Sequence, residues 1–207
     1  MKMTATSDDE ICTARIEMID SDPLIWREVE VPTSNTLWDL HDIVQSVMNW
    51  QDYHLWEFTI GKQRFGPPSD ENFGMEPVTD AAMAHLRDVL NPRRTTIRYL
   101  YDFGDNWEHR LIVSRIRPGE PDVAYPRLAG GERNAPPEDC GGIYGFYDKL
   151  AIAADRKARE HHEIKRWLGQ YDPNRFEERR IKIALGRIAK AGQVLKKGKS
   201  TTASRRR

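Results

Sequence analysis

TTIRYLYDFGDNWEHRLIVSRI, residues 95–116, decides the fold class. β-branched and aromatic residues run up to Phe103, Gly104-Asp105-Asn106 has the backbone freedom of a turn, and a second alternating run starts at Trp107. Two such runs around a short polar step predict an antiparallel hairpin. Two registers are open at this point. A two-residue loop at Asp105-Asn106 sets Asp102 opposite His109. A three-residue loop sets Tyr101 there instead, with Phe103 beside Trp107.

Upstream, HLWEFTI alternates His54, Trp56, Phe58 and Ile60 on one face, the pattern of a half-buried strand. TLWDLHDIVQSVMNW places Leu37, Leu40, Val44, Val47 and Met48 at three- and four-residue spacing, which makes one buried helical stripe. Thr36 is the expected N-cap, and Asp39 completes a capping box. Trp38, Trp50 or Trp56 is expected to be buried where this helix meets the sheet. TARIEMIDSDPLIWREVEVP reads as two strands around Ser21-Asp22-Pro23, with Pro32 ending the second. Residues 61–79, rich in Gly, Pro and polar side chains, read as a long surface loop. DAAMAHLRDVL follows as a short helix with Met83, Leu86 and Leu90 on one stripe.

Downstream, residues 117–142 read as irregular. YGFYDKLAIAAD and HHEIKRWLGQY read as short helices and RFEERRIKIALGRIAKAGQVL as a last amphipathic one. Hairpin strands with helices packed on them predict an α+β fold, with a mixed or antiparallel sheet in one compact domain. The expected division is a frayed start (1–10), a folded body (11–185) and a basic extension (186–207). In that extension the helix is expected to give way to a flexible tail near Lys196.

Six tryptophans, seven tyrosines and six phenylalanines exclude a disordered polymer, which lacks large apolar side chains to bury. No apolar run approaches the ~20 residues that span a bilayer, so no membrane association is expected. The start has no apolar signal-peptide centre, and only Cys12 and Cys140 carry thiols. Both features predict a cytoplasmic protein with reduced cysteines. Nothing in the chain speaks to its oligomeric state.

Net charge is zero, but unevenly composed. Residues 186–207 hold eight basic side chains and no acid, which leaves 24 basic against 32 acidic side chains in residues 1–185. An acidic body thus carries a basic tail. Lys196, Lys197, Lys199, Arg205, Arg206 and Arg207 are the candidate nucleic-acid contacts, acting by sequence-independent attraction to phosphate.

Two stretches combine aromatics with acids. In the hairpin, Tyr101, Asp102, Asp105, Trp107, Glu108 and His109 are candidates, because acids with a histidine can hold a metal or pass a proton. The plainer reading, a solvated turn chosen for backbone preference, is favoured. In APPEDCGGIYGF (135–146), Glu138, Asp139, Cys140 and Tyr144 are candidates. Here Pro136-Pro137 stiffens the approach, Gly141-Gly142 allows a sharp bend, and the two acids suit a helix N-terminus near Ile143. Cys140 reads as an inert packed thiol rather than one activated by that helix end. Hairpin and loop are expected to pack together and form the main concave surface.

His161 and His162 read as surface residues that cannot easily share an ion. Two distant cysteines lack zinc-ligand spacing, so neither a metal nor a cofactor is expected. The DFG of residues 102–104 stands without a phosphate loop or a catalytic-loop Asp-Asn set, so kinase chemistry is excluded.

LIWREVEVP, TLWDLHDIVQSVMNW, HLWEF, YDFGDNWEH, PPEDCGGIYGF and WLGQYDPNRF, in that order, resemble the plasmid pRiA4b ORF-3-like family over Ala14–Ile183. That family includes transposon passenger proteins labelled TnpR. The resemblance implies a compact α+β fold and carriage on mobile elements, with no established activity. Family members usually have a cysteine just before the Pro-Pro pair. This chain has Ala135, so a paired role for Cys140 is not carried over. Nor is recombinase chemistry, for no nucleophilic serine stands with clustered arginines. Three functions compete. In order of preference, they are a non-catalytic accessory module contacting a protein partner or DNA, a nucleic-acid-associated protein using the tail, and a metal-assisted hydrolase centred on Asp102 and His109.

Overall fold

The computed structural model describes residues 10–68, 78–91 and 95–204, with side chains as far as residue 192. Its elements are β1 (Glu10–Met18), β2 (Trp26–Pro32), α1 (Leu37–Met48), β3 (Trp56–Ile60), β4 (Gln63–Gly66) and β5 (Thr79–Asp80). A 3-10 turn (Ala81–Met83) and α2 (Leu86–Val89) precede β6 (Thr95–Tyr101), β7 (Trp107–Pro118) and β8 (Arg127–Glu132). The chain closes with α3 (Gly142–Ala154), α4 (His161–Leu168) and α5 (Glu178–Ser204). The strands form one eight-stranded sheet in the order β5-β4-β3-β6-β7-β1-β2-β8. Every pairing in it is antiparallel except β4 with β5. The fold is α+β.

α1 forms as its residues dictate. Thr36 Oγ accepts the Asp39 N–H at 3.1 Å and Asp39 Oδ2 accepts the Thr36 N–H at 2.7 Å, so two otherwise orphaned donors are satisfied. Leu37, Leu40, Val44, Val47 and Met48 are buried together. Trp50 and Trp56 are buried as expected, and the His41 ring stacks on Trp56 at 4.0 Å between centroids. The last turn of α1 has no basic residue of its own. Arg27 of β2 supplies one, donating from Nε to the Val47 carbonyl at 3.0 Å and from a terminal nitrogen to the carbonyls of Trp26 and Glu132. This buried cation sits where the helix dipole favours it. Burial still pushes its guanidinium down to about 10.

Several sequence expectations are corrected. Within residues 61–79, Gln63–Gly66 returns along β3 with Phe65 opposite Phe58, and Thr79–Asp80 adds an edge strand; residues 69–77 lie outside the described residues. DAAMAHLRDVL is not one helix. The Ala84 carbonyl accepts the Leu37 N–H and the Asn35 carbonyl accepts the Leu86 N–H, which holds Ala84-His85 extended and leaves Met83 exposed. In residues 117–142, Arg127–Glu132 forms β8 against β2. Its Gly131 has no room for a side chain, since a Cβ there would lie 2.6 Å from the Phe176 ring. His161 is buried rather than on the surface, with Nδ1 3.3 Å from the Ile152 carbonyl. α5 continues past Lys196 to Ser204, so the backbones of Lys196, Lys197 and Lys199 are helical, while Arg205, Arg206 and Arg207 lie outside the described residues. Among the described residues, no helix is long and apolar enough to cross a membrane.

Candidate functional site

Neither hairpin register open from sequence is the observed one. Tyr101 pairs with Trp107 and Tyr99 with His109, so the turn is Asp102–Asn106. Asp102 explains the early stop. It takes a left-handed φ of 54°, and its Oδ1 accepts the N–H groups of Gly104 (2.9 Å) and Asp105 (3.2 Å). An aspartate closing a turn on its own following amides competes with strand pairing.

Two further segments are fastened to this turn. The chain before β3 reaches it through Asp102 N–H donating to the Leu55 carbonyl at 2.9 Å, and through Tyr53 N–H donating to the Tyr101 hydroxyl at 3.0 Å. That hydroxyl in turn donates to Glu138 Oε1 at 2.6 Å, and Glu138 Oε2 accepts the Gln51 N–H at 2.9 Å. Burial, followed by the carboxylate beside it, pushes the Tyr101 phenol above its ordinary range. The Pro-Gly loop also docks through Gly141, whose N–H donates to Asp105 Oδ2 at 3.0 Å. Asp105 therefore serves the start of α3, the role that sequence assigned to Glu138 and Asp139. Those two acids point at Tyr101, Gln51 and His54 instead.

At the meeting point, His54 Nε2 lies 3.1 Å from Asp139 Oδ1 and 3.6 Å from Asp102 Oδ2. The nitrogen itself is out of contact with solvent and makes a hydrogen bond with neither oxygen. Exposed Tyr53, Leu55, Phe103 and Tyr144 belong to the same segments and to the first turn of α3. His54 was absent from the sequence candidates, since alternation placed it with Trp56 on the buried strand face. β3 begins only at Trp56, which frees His54 to turn toward the loop.

The other candidates are separated from this point. Trp107 and His109 are buried in the sheet, with the Trp50 ring 5.6 Å and 5.4 Å from them. Burial pushes His109 down to about 4, so it is neutral at pH 7. Glu108 pairs with Arg98 at 2.8 Å, and that partner holds its carboxyl below the usual range. Cys140 is buried and pushed up to about 12 by burial, the state of a packed thiol. Among the described residues, groups whose donor atoms approach closely enough to share an ion are His54–Asp102–Asp139 and His41–Asp42–Asp52. Neither contains His109. In the second, both His41 nitrogens are engaged, one with the Tyr99 hydroxyl and one with Asp52, each at 2.8 Å. In that set His41 is buried and already hydrogen-bonded at both nitrogens, while Asp42 and Asp52 are exposed.

Hairpin and loop do pack together, but a cleft of about 570 Å³ opens elsewhere, between the end of α1 and α5. Arg175, Arg179, Arg180 and Arg187 line it beside Ser46, Asn49 and Trp50. Most sheet arginines behave differently from these; Arg27 and Arg115 are the exceptions among the described residues. Arg15 and Arg110 share Glu17, Arg117 and Arg127 share Glu30, and Arg64 pairs with Glu57. Arg179, Arg180 and Arg187 have no carboxylate within ion-pair distance among the described residues, although Arg175 pairs with Glu177. Sequence reasoning missed this face because it named nucleic-acid contacts only from Lys196 onward.

The chain resembles two proteins over most of its length. "Uncharacterized protein y4hQ" of Sinorhizobium fredii (strain NBRC 101917 / NGR234) is 34% identical over 151 residues, which is 73% of this chain and 77% of that protein. The crystal structure of a protein of unknown function, MM3350 of Methanosarcina mazei Go1, matches with a TM-score of 0.77 and 32% identity, covering 83% of this chain and 97% of that one. Residues 10–180 match the family model described as plasmid pRiA4b ORF-3-like protein, and the chain belongs to that family.

Proposed function

We propose that the protein is a non-catalytic accessory module of a mobile element, and that it holds a nucleic-acid backbone along α5. One observation carries this reading: three arginines without carboxylate partners among the described residues line one cleft, in a body where most sheet arginines are paired with carboxylates. Ile181, Leu185 and Ala189 bury one stripe of α5, while Arg179, Ile183 and Arg187 recur at four-residue spacing on a neighbouring one. Guanidinium groups aligned this way suit phosphates, which they contact through paired N–H donors. The acidic remainder of the body repels a polyanion and so confines contact to this face. The free cysteines, both buried, suit a reducing cytoplasm.

The test is fluorescence anisotropy of the full chain with labelled duplex and single-stranded DNA across a salt series. Binding is expected at low salt, falling linearly on logarithmic axes, because each neutralised phosphate releases condensed counterions. Replacing Arg179, Arg180 and Arg187 together by Gln should flatten the duplex slope by about 0.9 for each phosphate no longer neutralised. A triple variant that binds as the parent does, or a parent that fails to bind at low salt, refutes the reading.

A further inference from the structure

We propose that His54, Asp102 and Asp139 form a binding site for a divalent first-row transition cation such as Zn²⁺ or Mn²⁺. The proposal goes beyond the nucleic-acid reading and does not depend on it. Three chain segments bring one donor atom each to a common point, all within 4.8 Å of one another. The His54–Asp139 and His54–Asp102 separations, 3.1 Å and 3.6 Å, bracket the edge of about 3.4 Å that ligands at ordinary zinc distances make in a tetrahedron. One imidazole with two carboxylates is a donor set for borderline divalent metals.

The unpartnered nitrogen is the second observation. His54 Nε2 is shielded from solvent, although the side chain is 29% exposed, and it faces two carboxylate oxygens at 3.1 Å and 3.6 Å without a hydrogen bond to either. A hydrogen-bonded histidine–aspartate pair has a different geometry in this protein, with His41 and Asp52 in line at 2.8 Å. A cation at the point where the imidazole nitrogen and the two carboxylate oxygens converge would take all three as donors.

The surroundings hold the ligands as a metal site needs. Asp102 is fixed by two backbone N–H groups on Oδ1, which leaves Oδ2 facing His54. Asp139 sits between Glu138, anchored by Tyr101 and Gln51, and Gly141, anchored by Asp105. Second-sphere partners of this kind orient ligands and strengthen metal binding. The Asp139 side chain is 70% exposed, so the remaining coordination positions open to water. An open three-ligand site of this type is exchangeable, unlike a closed structural zinc site.

The experiment uses the full chain, freed of metal by chelator, titrated calorimetrically with Zn²⁺ alone and Mn²⁺ alone. One equivalent is expected to bind and to raise the melting temperature. Asp139→Asn and His54→Gln should each weaken binding by about 10-fold or more and abolish the melting shift, while Asp52→Asn leaves both unchanged. If His54→Gln fails to fold, Asp139→Asn decides the matter, because its exposed carboxylate can be neutralised without repacking. No saturable binding of either metal at millimolar concentration overturns the site. So does one-equivalent binding that Asp139→Asn leaves intact.

Discussion

Gly142 lies against the carbonyl oxygen of Asp105, so closely that a Cβ at position 142 would stand 2.2 Å from it. This approach joins the hairpin turn to the start of α3, and it explains why two glycines stand in succession there. Both have left-handed backbones, with φ of +86° at Gly141 and +68° at Gly142, but a Cβ on Gly141 would meet nothing nearer than 3.6 Å. Gly141→Ala is therefore expected to cost about 1–2 kcal/mol, the ordinary strain of an L-residue in that region. Gly142→Ala should cost more, since the group it meets is backbone and cannot rotate away. Denaturant unfolding of the two variants measures the difference. Equal losses would show that turn and loop do not touch as described.

His109 makes stability depend on pH. Its folded pKa is depressed to about 4 by burial, while an unfolded chain titrates near the ordinary 6.5. Between those values the unfolded state binds the extra proton, so stability falls as pH falls. The contribution is fully present above pH 6.5 and is lost toward pH 4, up to about 3 kcal/mol in all. His41, lowered by burial against the opposing pull of Asp52, acts in the same direction. Melting temperatures from pH 7.5 to 4.5 should decline in the parent, and His109→Gln should flatten that decline. An unchanged slope in the variant would assign the pH dependence to other groups.

Leu40 and Met83 separate a real stripe from an apparent one. Leu40 is 1% exposed beneath α1, and Leu40→Ala is expected to cost about 2–5 kcal/mol as a truncated core leucine does. Met83 is 76% exposed, so Met83→Ala should change stability by under about 0.5 kcal/mol. Chemical denaturation of both variants checks the pair. A small loss at Leu40 would mean that the helix presents another face to the sheet.

What could be read in the sequence follows how local the deciding interaction is. α1 was legible to its capping box because Thr36, Asp39 and the apolar stripe all act within a few turns. The β1–β2 pair was legible for the same reason. β8 was not, since LAGGE has little strand propensity and exists because Arg27 and the Phe176 ring close over it. The hairpin register was missed because Asp102 spends its side chain on the amides of Gly104 and Asp105 and ends β6 early. Glu138 and Asp139 were legible as important residues but not in their roles. Their partners Tyr101, Gln51 and His54 are far away in the chain, and no local pattern links them.

The relative roles of cleft and tail can be separated by truncation. Among the described residues, buried side chains on α5 extend to Ala189, and removing residues 196–207 is expected to leave the fold and its melting temperature essentially unchanged. It also removes six of the eight basic residues beyond position 185, and with them any phosphates they neutralise. If the cleft arginines provide the anchor, the truncated chain still binds DNA at low salt, with a shallower salt dependence and no change in sequence preference. Adding Arg187→Gln to the truncation should then weaken binding further, because that side chain lies in the cleft rather than beyond it. Anisotropy titrations of parent, truncated and doubly altered chains read these steps directly. Complete loss on truncation alone would transfer the anchoring role from the cleft to the residues after position 195.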